Sequence, residues 1–247
     1  MPFPSIRRIR LPINPKSLIA SKVPLMKIKV IAVSAVVVVL FGGVFGVQQF
    51  ISSQITSRVE REMPKASGVS ASIPLADLPR NLASDSIKSA QINIKSFTLK
   101  ESKANVSLDI SASNISKVKP TSVGSLEVTA TIPALTITNS SEFNDVEIVG
   151  NTLQVSVGGG GLGTALLIPK YTNSQLYFEL QSVFLFGEEI PASSLPAELQ
   201  NEIKSRSQRS LTPPKGLNVE SVSLSSKGLS VKMLGSNVQI GSLGSGL

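Results

Sequence analysis

The sequence predicts an α+β protein, with one N-terminal transmembrane helix followed by a curved antiparallel β-sheet packed on a few amphipathic helices. Three observations favour this fold class. Val30–Val47 carries no charged side chain, most of the remaining chain alternates apolar and polar residues, and three short stretches have helical spacing instead. Strict alternation is typical of an antiparallel sheet that faces water on one side. Such a sheet needs a cover on its other face, which amphipathic helices can supply.

The apolar stretch predicts a membrane anchor. About 20 apolar residues span the hydrocarbon core as a helix. Seven basic residues precede the stretch, and the first acid is Glu60. The positive-inside rule therefore predicts a single-pass plasma-membrane protein with a cytoplasmic tail over 1–29, a span over 30–50 and an extracytoplasmic domain over 51–247. The alternative is a cleaved signal peptide, for which Val44–Gly46 is the best cleavage candidate.

Composition narrows the function of the domain. Seven of the 24 basic residues and none of the 16 acids lie in the first 47 residues, so the rest of the chain is nearly neutral. A nucleic-acid partner, which needs a basic face on the folded part, is not expected. The chain contains no Cys, His or Trp, which removes disulfides, His-dependent catalytic triads and imidazole metal ligands.

Three amphipathic helices are predicted after the apolar stretch. The first carries apolar residues at every fourth position and ends at Pro64. The second has Leu75, Leu78 and Leu82 on one face, and the third has Leu195, Leu199 and Ile203. Ser194 is the predicted N-cap of the third helix, whose first turn holds Pro196 and Glu198.

The alternating segments predict strands that form one long sheet. Ala90, Ile92 and Ile94 alternate with polar residues, and the phase then shifts to Phe97, as a β-bulge would cause. No helical pattern is visible over Leu135–Glu147. The other predicted strands lie around Val106–Ala112, Leu126–Ile132, Val146–Ile148, Leu153–Val157, Ala165–Ile168, Leu176–Leu180, Val219–Leu224, Leu229–Met233 and Val238–Ile240.

Candidate catalytic and metal sites are weak in this sequence. The glycine run Gly158–Gly161 lacks the Lys and the following helix of a phosphate-binding loop, so a flexible loop is the better interpretation. The acids do not have calcium-loop spacing and are expected on the surface; they are Glu142, Asp145, Glu147, Glu188 and Glu189. We predict no enzyme, no catalytic residue, no metal and no cofactor.

The apolar side chains of the predicted sheet and helices are the remaining candidate site. A curved sheet folded over helices can enclose a groove for an acyl chain, although the same residues can equally form a packed core. The residues predicted to contact lipid are the apolar faces of two helices and of the sheet, namely Leu75, Leu78, Leu82, Ile92, Ile94, Leu108, Ile110, Leu176, Phe178, Leu195, Leu199 and Ile203.

The order of these features resembles a known family. After the segment SIKSAQINIKSFTL and a Pro-containing helical crossing, the chain closes as Pro213–Pro214, Gly216–Leu217, a strand, Gly228 and another strand. This pattern over about residues 50–240 looks like the actinobacterial LmeA-type phospholipid-binding family, which is similar to tubular lipid-binding folds. The resemblance implies an exported domain that binds phospholipid, with phosphatidylinositol reported for the family's namesake, and a role in assembling envelope lipoglycans.

The sequence therefore predicts a membrane-anchored, extracytoplasmic phospholipid-binding protein that carries or presents lipid for cell-envelope assembly. The expected partners are phospholipid and membrane, whereas protein partners stay open. The alternative is a non-enzymatic structural or adhesive envelope module that binds protein or glycan through the polar face of the sheet.

Overall fold

The computed structural model describes residues 66–74, 84–98, 105–118, 121–140, 146–157 and 163–239. These residues form mostly β-strands. The strands are β1 (Ala66–Ser72), β2 (Ser86–Thr98), β3 (Asn105–Ser116), β4 (Ser122–Pro133), β5 (Val146–Val149), β6 (Thr152–Val157), β7 (Gly163–Thr172), β8 (Gln175–Leu185), β9 (Glu188–Pro191), β10 (Arg209–Ser210), β11 (Asn218–Ser225) and β12 (Gly228–Gln239). Helix α1 is Ala134–Ser140, helix α2 is Ala197–Ser207, and a 3₁₀ turn covers Ala192–Ser194.

The first sheet is antiparallel and has the order β1-β2-β3-β4-β12-β11. Strands β1 to β4 are neighbours in sequence as well as in space. The last hairpin, β11–β12, then returns to the fourth strand, so that Val128 faces Met233. Everything between α1 and β11 is thus inserted between two strands that pair directly with each other.

Alternation of apolar and polar residues forms the long strands of this sheet. Ile92 and Ile94 are buried whereas Gln91 and Lys95 are exposed, as expected for side chains that point to opposite faces. The predicted bulge in β2 is confirmed, since the register between β2 and β3 shifts between Ile94 and Phe97.

The second sheet is also antiparallel. Its order is β10-β8-β7-β6-β5, and β9 pairs with β8. Helix α2 lies along β8. Ser207, the last residue of the helix, accepts a hydrogen bond from the Phe178 backbone N–H at 2.9 Å and donates one to the Phe178 carbonyl at 3.2 Å. The Lys204 ammonium lies 4.6 Å from the centre of the Tyr177 ring, a cation–π distance.

The two sheets share one hydrophobic core. Buried side chains from β2, β3, β4 and β12 and from β6, β7 and β8 belong to a single cluster. Strand β11, at the edge of the first sheet, lies against β7 and also contacts β5 and β6. The core is mostly aliphatic, with Phe178 its fully buried aromatic side chain within the described part of the chain.

The predicted α+β fold class is wrong for the described residues. The strands form two sheets instead of one, and α1 and α2 have only 7 and 11 residues. Alternation shows which side chains share a face, but it carries no information about which sheet a strand joins. Because β5 to β8 alternate like β2 to β4, the sequence pattern did not separate the two sheets.

The helix predictions need two corrections. Helix α1 overlaps Leu135–Glu147, where no helix was predicted. Its sequence ALTITNS is rich in β-branched residues, which disfavour helices. Helix α2 is confirmed with Glu198 in its first turn, but its N-cap is Pro196 and no side chain caps it. Ser194 is instead the last residue of the 3₁₀ turn. The side-chain amide of Gln200 donates hydrogen bonds to the carbonyl of Ala192 in that turn and to the carbonyl of Leu195 directly after it.

The expected single-pass membrane location is also corrected. Across the described ranges, no helix is both long enough and apolar enough to cross a membrane. The predicted span over 30–50, the tail over 1–29 and the first amphipathic helix lie outside those ranges, as does the face of the second helix with Leu75, Leu78 and Leu82.

Candidate functional site

Four predicted site residues come together on the inner face of the first sheet. The β2–β3 register places Ile92 opposite Ile110 and Ile94 opposite Leu108. The row continues across the sheet, because Ile110 faces Val128 on β4. All four predicted residues are 0 to 2 % exposed. The inner face is therefore a continuous aliphatic surface, and these residues lie in its most enclosed part.

The other predicted residues are distributed over the second sheet and its helix. Leu176 and Phe178 are buried on β8, and Leu195 and Ile203 are half-buried and pack against the shared core. The side chain of Leu199 lies outside the described part of the structure. The contact of any of these residues with lipid stays a prediction.

An open edge of the inner face was missed from the sequence. Strand β1 pairs with β2, placing Val69 opposite Ile94 and Ala71 opposite Ile92. Val69, Ala71 and the following Ile73 are only half-buried, although their β2 neighbours are enclosed. A signal for this strand existed, since these three residues alternate with Ser70 and Ser72. The small side chains and Gly68 made the alternation inconspicuous.

The outer face of the first sheet is polar, and its side chains bind one another. The Lys232 ammonium lies 3.0 Å from a Glu220 carboxylate oxygen and 3.3 Å from one of Glu127. The hydrogen bond to Glu220, followed by that to Glu127, raises the pKa of Lys232 above its ordinary value. The Thr131 and Ser230 hydroxyls are 2.9 Å apart. The face is thus a hydrated surface with internal charge compensation.

The candidate metal and phosphate sites were also located in the structure. They contain no group of three or more acidic, His or Cys side chains that could hold a metal ion. Glu147, Glu188 and Glu189 are exposed, whereas Glu142, Asp145 and Gly158–Gly161 lie outside the described ranges. Partial burial lowers the pKa of Arg209, whose guanidinium donates a hydrogen bond to the Gln208 carbonyl at 2.7 Å.

One buried hydroxyl has no partner within the described structure. Ser182 on β8 is 1 % exposed, and its Oγ makes no hydrogen bond. It lies next to the register shift between β7 and β8 at Leu166 and Leu167. Its position continues the buried alternation of Leu176, Phe178 and Leu180 along the strand.

In comparison with known proteins, no protein-family model, no curated protein and no solved structure matches this chain.

Proposed function

We propose that this domain binds phospholipid through its acyl chains, without catalysing a reaction on them, and carries or presents the lipid to other components of a cell envelope. The observation that carries the proposal is the inner face of the first sheet. That face is aliphatic over its whole length and becomes partly exposed at one edge, β1.

The dimensions of the face suit an acyl chain. Strands β2, β3, β4 and β12 have 12 or 13 residues each. At about 3.4 Å per residue they are roughly 40 Å long. One leaflet of a bilayer supplies about 15 Å of hydrocarbon, half of the 30 Å core. A single acyl chain is therefore shorter than these strands, and it can lie along the edge at β1, where the face is partly exposed.

The edge at β1 is the proposed point of entry. A ligand can gain apolar contact only where a side chain still has accessible surface, at about 25 cal/mol per Å². The enclosed Ile92 and Ile94 have almost none, whereas Val69, Ala71 and Ile73 keep some. The half-buried Phe97, opposite Ala66, extends the same edge. The resemblance to the LmeA-type family supports the choice of phospholipid over other apolar ligands.

Native mass spectrometry and lipid extraction of the purified full chain test the proposal. We expect phospholipid at a near-stoichiometric amount, and the extract identifies its head group. Val69→Asp should lower the lipid content at least tenfold, since it places a charge on the proposed entry edge. Ser70→Asp is the matched control, because Ser70 is an exposed neighbour on the same strand that points to the opposite face. Equal lipid content in the two variants, or a folded chain without lipid, refutes the proposal.

A second candidate function is supported by the polar outer face. The side chains of β4, β12 and β11 present carboxylate, ammonium and hydroxyl groups on one surface, including Glu127, Lys232 and Glu220. Such a surface suits a structural or adhesive module that binds protein or glycan. A lipid-free chain whose binding to isolated cell-wall glycan falls on Lys232→Glu substitution would favour this candidate.

A further inference from the structure

The tip of the β8–β9 hairpin carries a residue type that its backbone conformation disfavours. Phe186 and Gly187 form the two-residue connection, flanked by the pair Leu185 and Glu188. Both turn residues have positive φ, 54° at Phe186 and 86° at Gly187. Two-residue turns of this kind favour Asn, Asp or Gly at the first position, since a bulky side chain is strained there.

A second turn in the same sheet carries small polar residues at the same two positions. Strands β7 and β8 are joined by Asn173 and Ser174, with φ of 53° and 58°. The two turns therefore share their length and the sign of both φ angles, and they lie at opposite ends of β8. One carries small polar residues and the other an aromatic ring.

The ring of Phe186 is also the most exposed large hydrophobic side chain among the described residues, at 81 %. A Cβ built at the neighbouring Gly187 would have no atom of the described residues within 4 Å, so the tip projects away from the described part of the structure. Phe186 thus combines backbone strain with an unfavourable exposure of apolar surface. Residues that break local rules without a folding benefit are expected at functional positions.

We propose that Phe186 inserts into the interfacial layer of a lipid bilayer and that the β8–β9 hairpin is the membrane-contact tip of the domain. This inference rests on the proposed function, because a domain that takes up phospholipid has to meet the bilayer that supplies it. The lipid surface contacted by the ring is distinct from the lipid held on the inner face of the first sheet.

A bilayer fits the tip better than a protein pocket does. A stable protein interface buries about 800 Å² on each partner, whereas one Phe contributes roughly 150–250 Å². The half-buried Phe184 and Leu185 add little area beside it. A bilayer interface, in contrast, accepts a single ring without a preformed pocket.

The two acids behind the ring specify the lipid surface. Glu188 and Glu189 are exposed and follow the tip directly. With Phe186 inserted, their carboxylates would lie at head-group depth, where phosphatidylcholine and phosphatidylethanolamine carry a cationic ammonium group. An anionic leaflet would repel both acids. The geometry therefore points to a zwitterionic surface.

Single tryptophans test the insertion in the full chain, which has no Trp of its own. Phe186→Trp and Asn173→Trp place the same fluorophore on the two turns at opposite ends of β8, about 37 Å apart at 3.4 Å per residue. Both variants are combined with vesicles of phosphatidylcholine brominated on its acyl chains. Since both share the same fold and vesicles, any general association with lipid affects them alike.

The proposal predicts that bromine quenches at least half of the emission of the Phe186→Trp variant, with a blue shift, and that the Asn173→Trp variant shows less than one fifth of that quenching. Replacing 30 % of the lipid by phosphatidylglycerol should lower the quenching of the Phe186→Trp variant, and adding Glu188→Gln and Glu189→Gln should restore it. Equal quenching of both variants, or none of the Phe186→Trp variant, overturns the proposal. A blue shift of the Phe186→Trp emission without quenching also overturns it and indicates a protein pocket.

A variant without a new fluorophore keeps the test independent of how Trp is tolerated. Phe186→Asn should raise the folding equilibrium constant about tenfold, since Asn accepts the positive φ of the turn, and should reduce flotation of the chain with phosphatidylcholine vesicles. An unchanged flotation refutes the membrane role of the ring. Co-purified phospholipid without quenching of the Phe186→Trp variant refutes the hairpin proposal alone, and quenching without co-purified phospholipid refutes the proposed function alone.

Discussion

The turn between β11 and β12 permits a sharp comparison of two glycines. Gly228 has φ of 128°, and a Cβ at this position would lie 1.9 Å from the Ile132 carbonyl oxygen and 2.8 Å from the Ala134 nitrogen. Gly150, in the β5–β6 turn, has φ of 62°, and its added Cβ would meet nothing within 4 Å. Alanine therefore brings backbone strain at both positions, but a collision only at Gly228.

The expected magnitudes follow from this difference. Positive φ costs a residue with a Cβ about 1–2 kcal/mol, which is the whole penalty for Gly150→Ala. At Gly228 the atoms in the way are backbone atoms at the end of β4, where Gly228 pairs with Pro133. Relieving the collision has to separate β12 from β4 locally, and each lost hydrogen bond adds about 1 kcal/mol. We expect about 3–5 kcal/mol for Gly228→Ala.

Denaturant unfolding of the full chain, followed by far-ultraviolet circular dichroism, measures both variants. In thermal unfolding the corresponding shifts are roughly 2–8 °C for Gly150→Ala and roughly 6–20 °C for Gly228→Ala, at about 2–4 °C per kcal/mol for a domain of this size. If the two variants lose the same stability, Gly228 does not approach β4 as the structure has it, and the return of the β11–β12 hairpin to β4 is wrong.

Three further predictions concern polar groups. Ser182→Ala should raise the free energy of unfolding by about 1 kcal/mol, because it removes a buried hydroxyl without a partner in the described structure; a loss of stability would reveal a hydrogen bond at Oγ. Ser207→Ala should lower it by about 1–3 kcal/mol, since it leaves the Phe178 backbone groups unpaired at the edge of β8, and Ser207→Thr should restore part of the loss. The raised pKa of Lys232 predicts a contribution that is fully present below the unfolded-state pKa of about 10.4 and disappears as the pH rises through the folded-state value. The stabilities of wild type and Lys232→Gln should therefore differ by a constant amount from pH 7 to 9 and converge at more alkaline pH; convergence near neutral pH would contradict the raised pKa.

Local features of the fold could be predicted from the sequence because they depend on neighbouring residues. The alternation around Ile92 and Ile94 located β2, and the change of phase before Phe97 located its bulge. Gly228, directly after Lys227, marked a hairpin turn because glycine accepts positive φ, here 128°. In each case a few adjacent side chains decide the backbone geometry.

Long-range features could not be predicted in this way. Val128 on β4 pairs with Met233 on β12, across the insertion that forms the second sheet. Nothing in either strand distinguishes this partner from the equally alternating β6 or β8. Helix α1 was missed for the opposite reason, since its position after β4 overrides a sequence that prefers a strand.

The candidate site also has a part that could be predicted from the sequence and a part that could not. Residues selected from the sequence, such as Ile94 and Leu108, lie on the inner face, but burial within the fold decides which side chains a ligand can reach. The accessible part of the face lies on β1, whose Val69 and Ala71 have weaker apolar character than the residues behind them. Strongly apolar residues in the sequence therefore identify the centre of the core, whereas the proposed binding edge consists of the weaker apolar residues that continue the pattern to the surface.

The position of Phe186 is also informative because folding does not explain it. A strongly apolar residue is normally driven inward by burial, at about 25 cal/mol per Å², yet this ring stays 81 % exposed on a turn that disfavours it. Neither the core nor the local backbone accounts for its position. We therefore propose two separate contacts with lipid, with Val69 at the edge of the inner face of the first sheet and Phe186 at the tip of the second. Val69→Asp should lower the amount of co-purified lipid and leave the quenching of the Phe186→Trp variant unchanged.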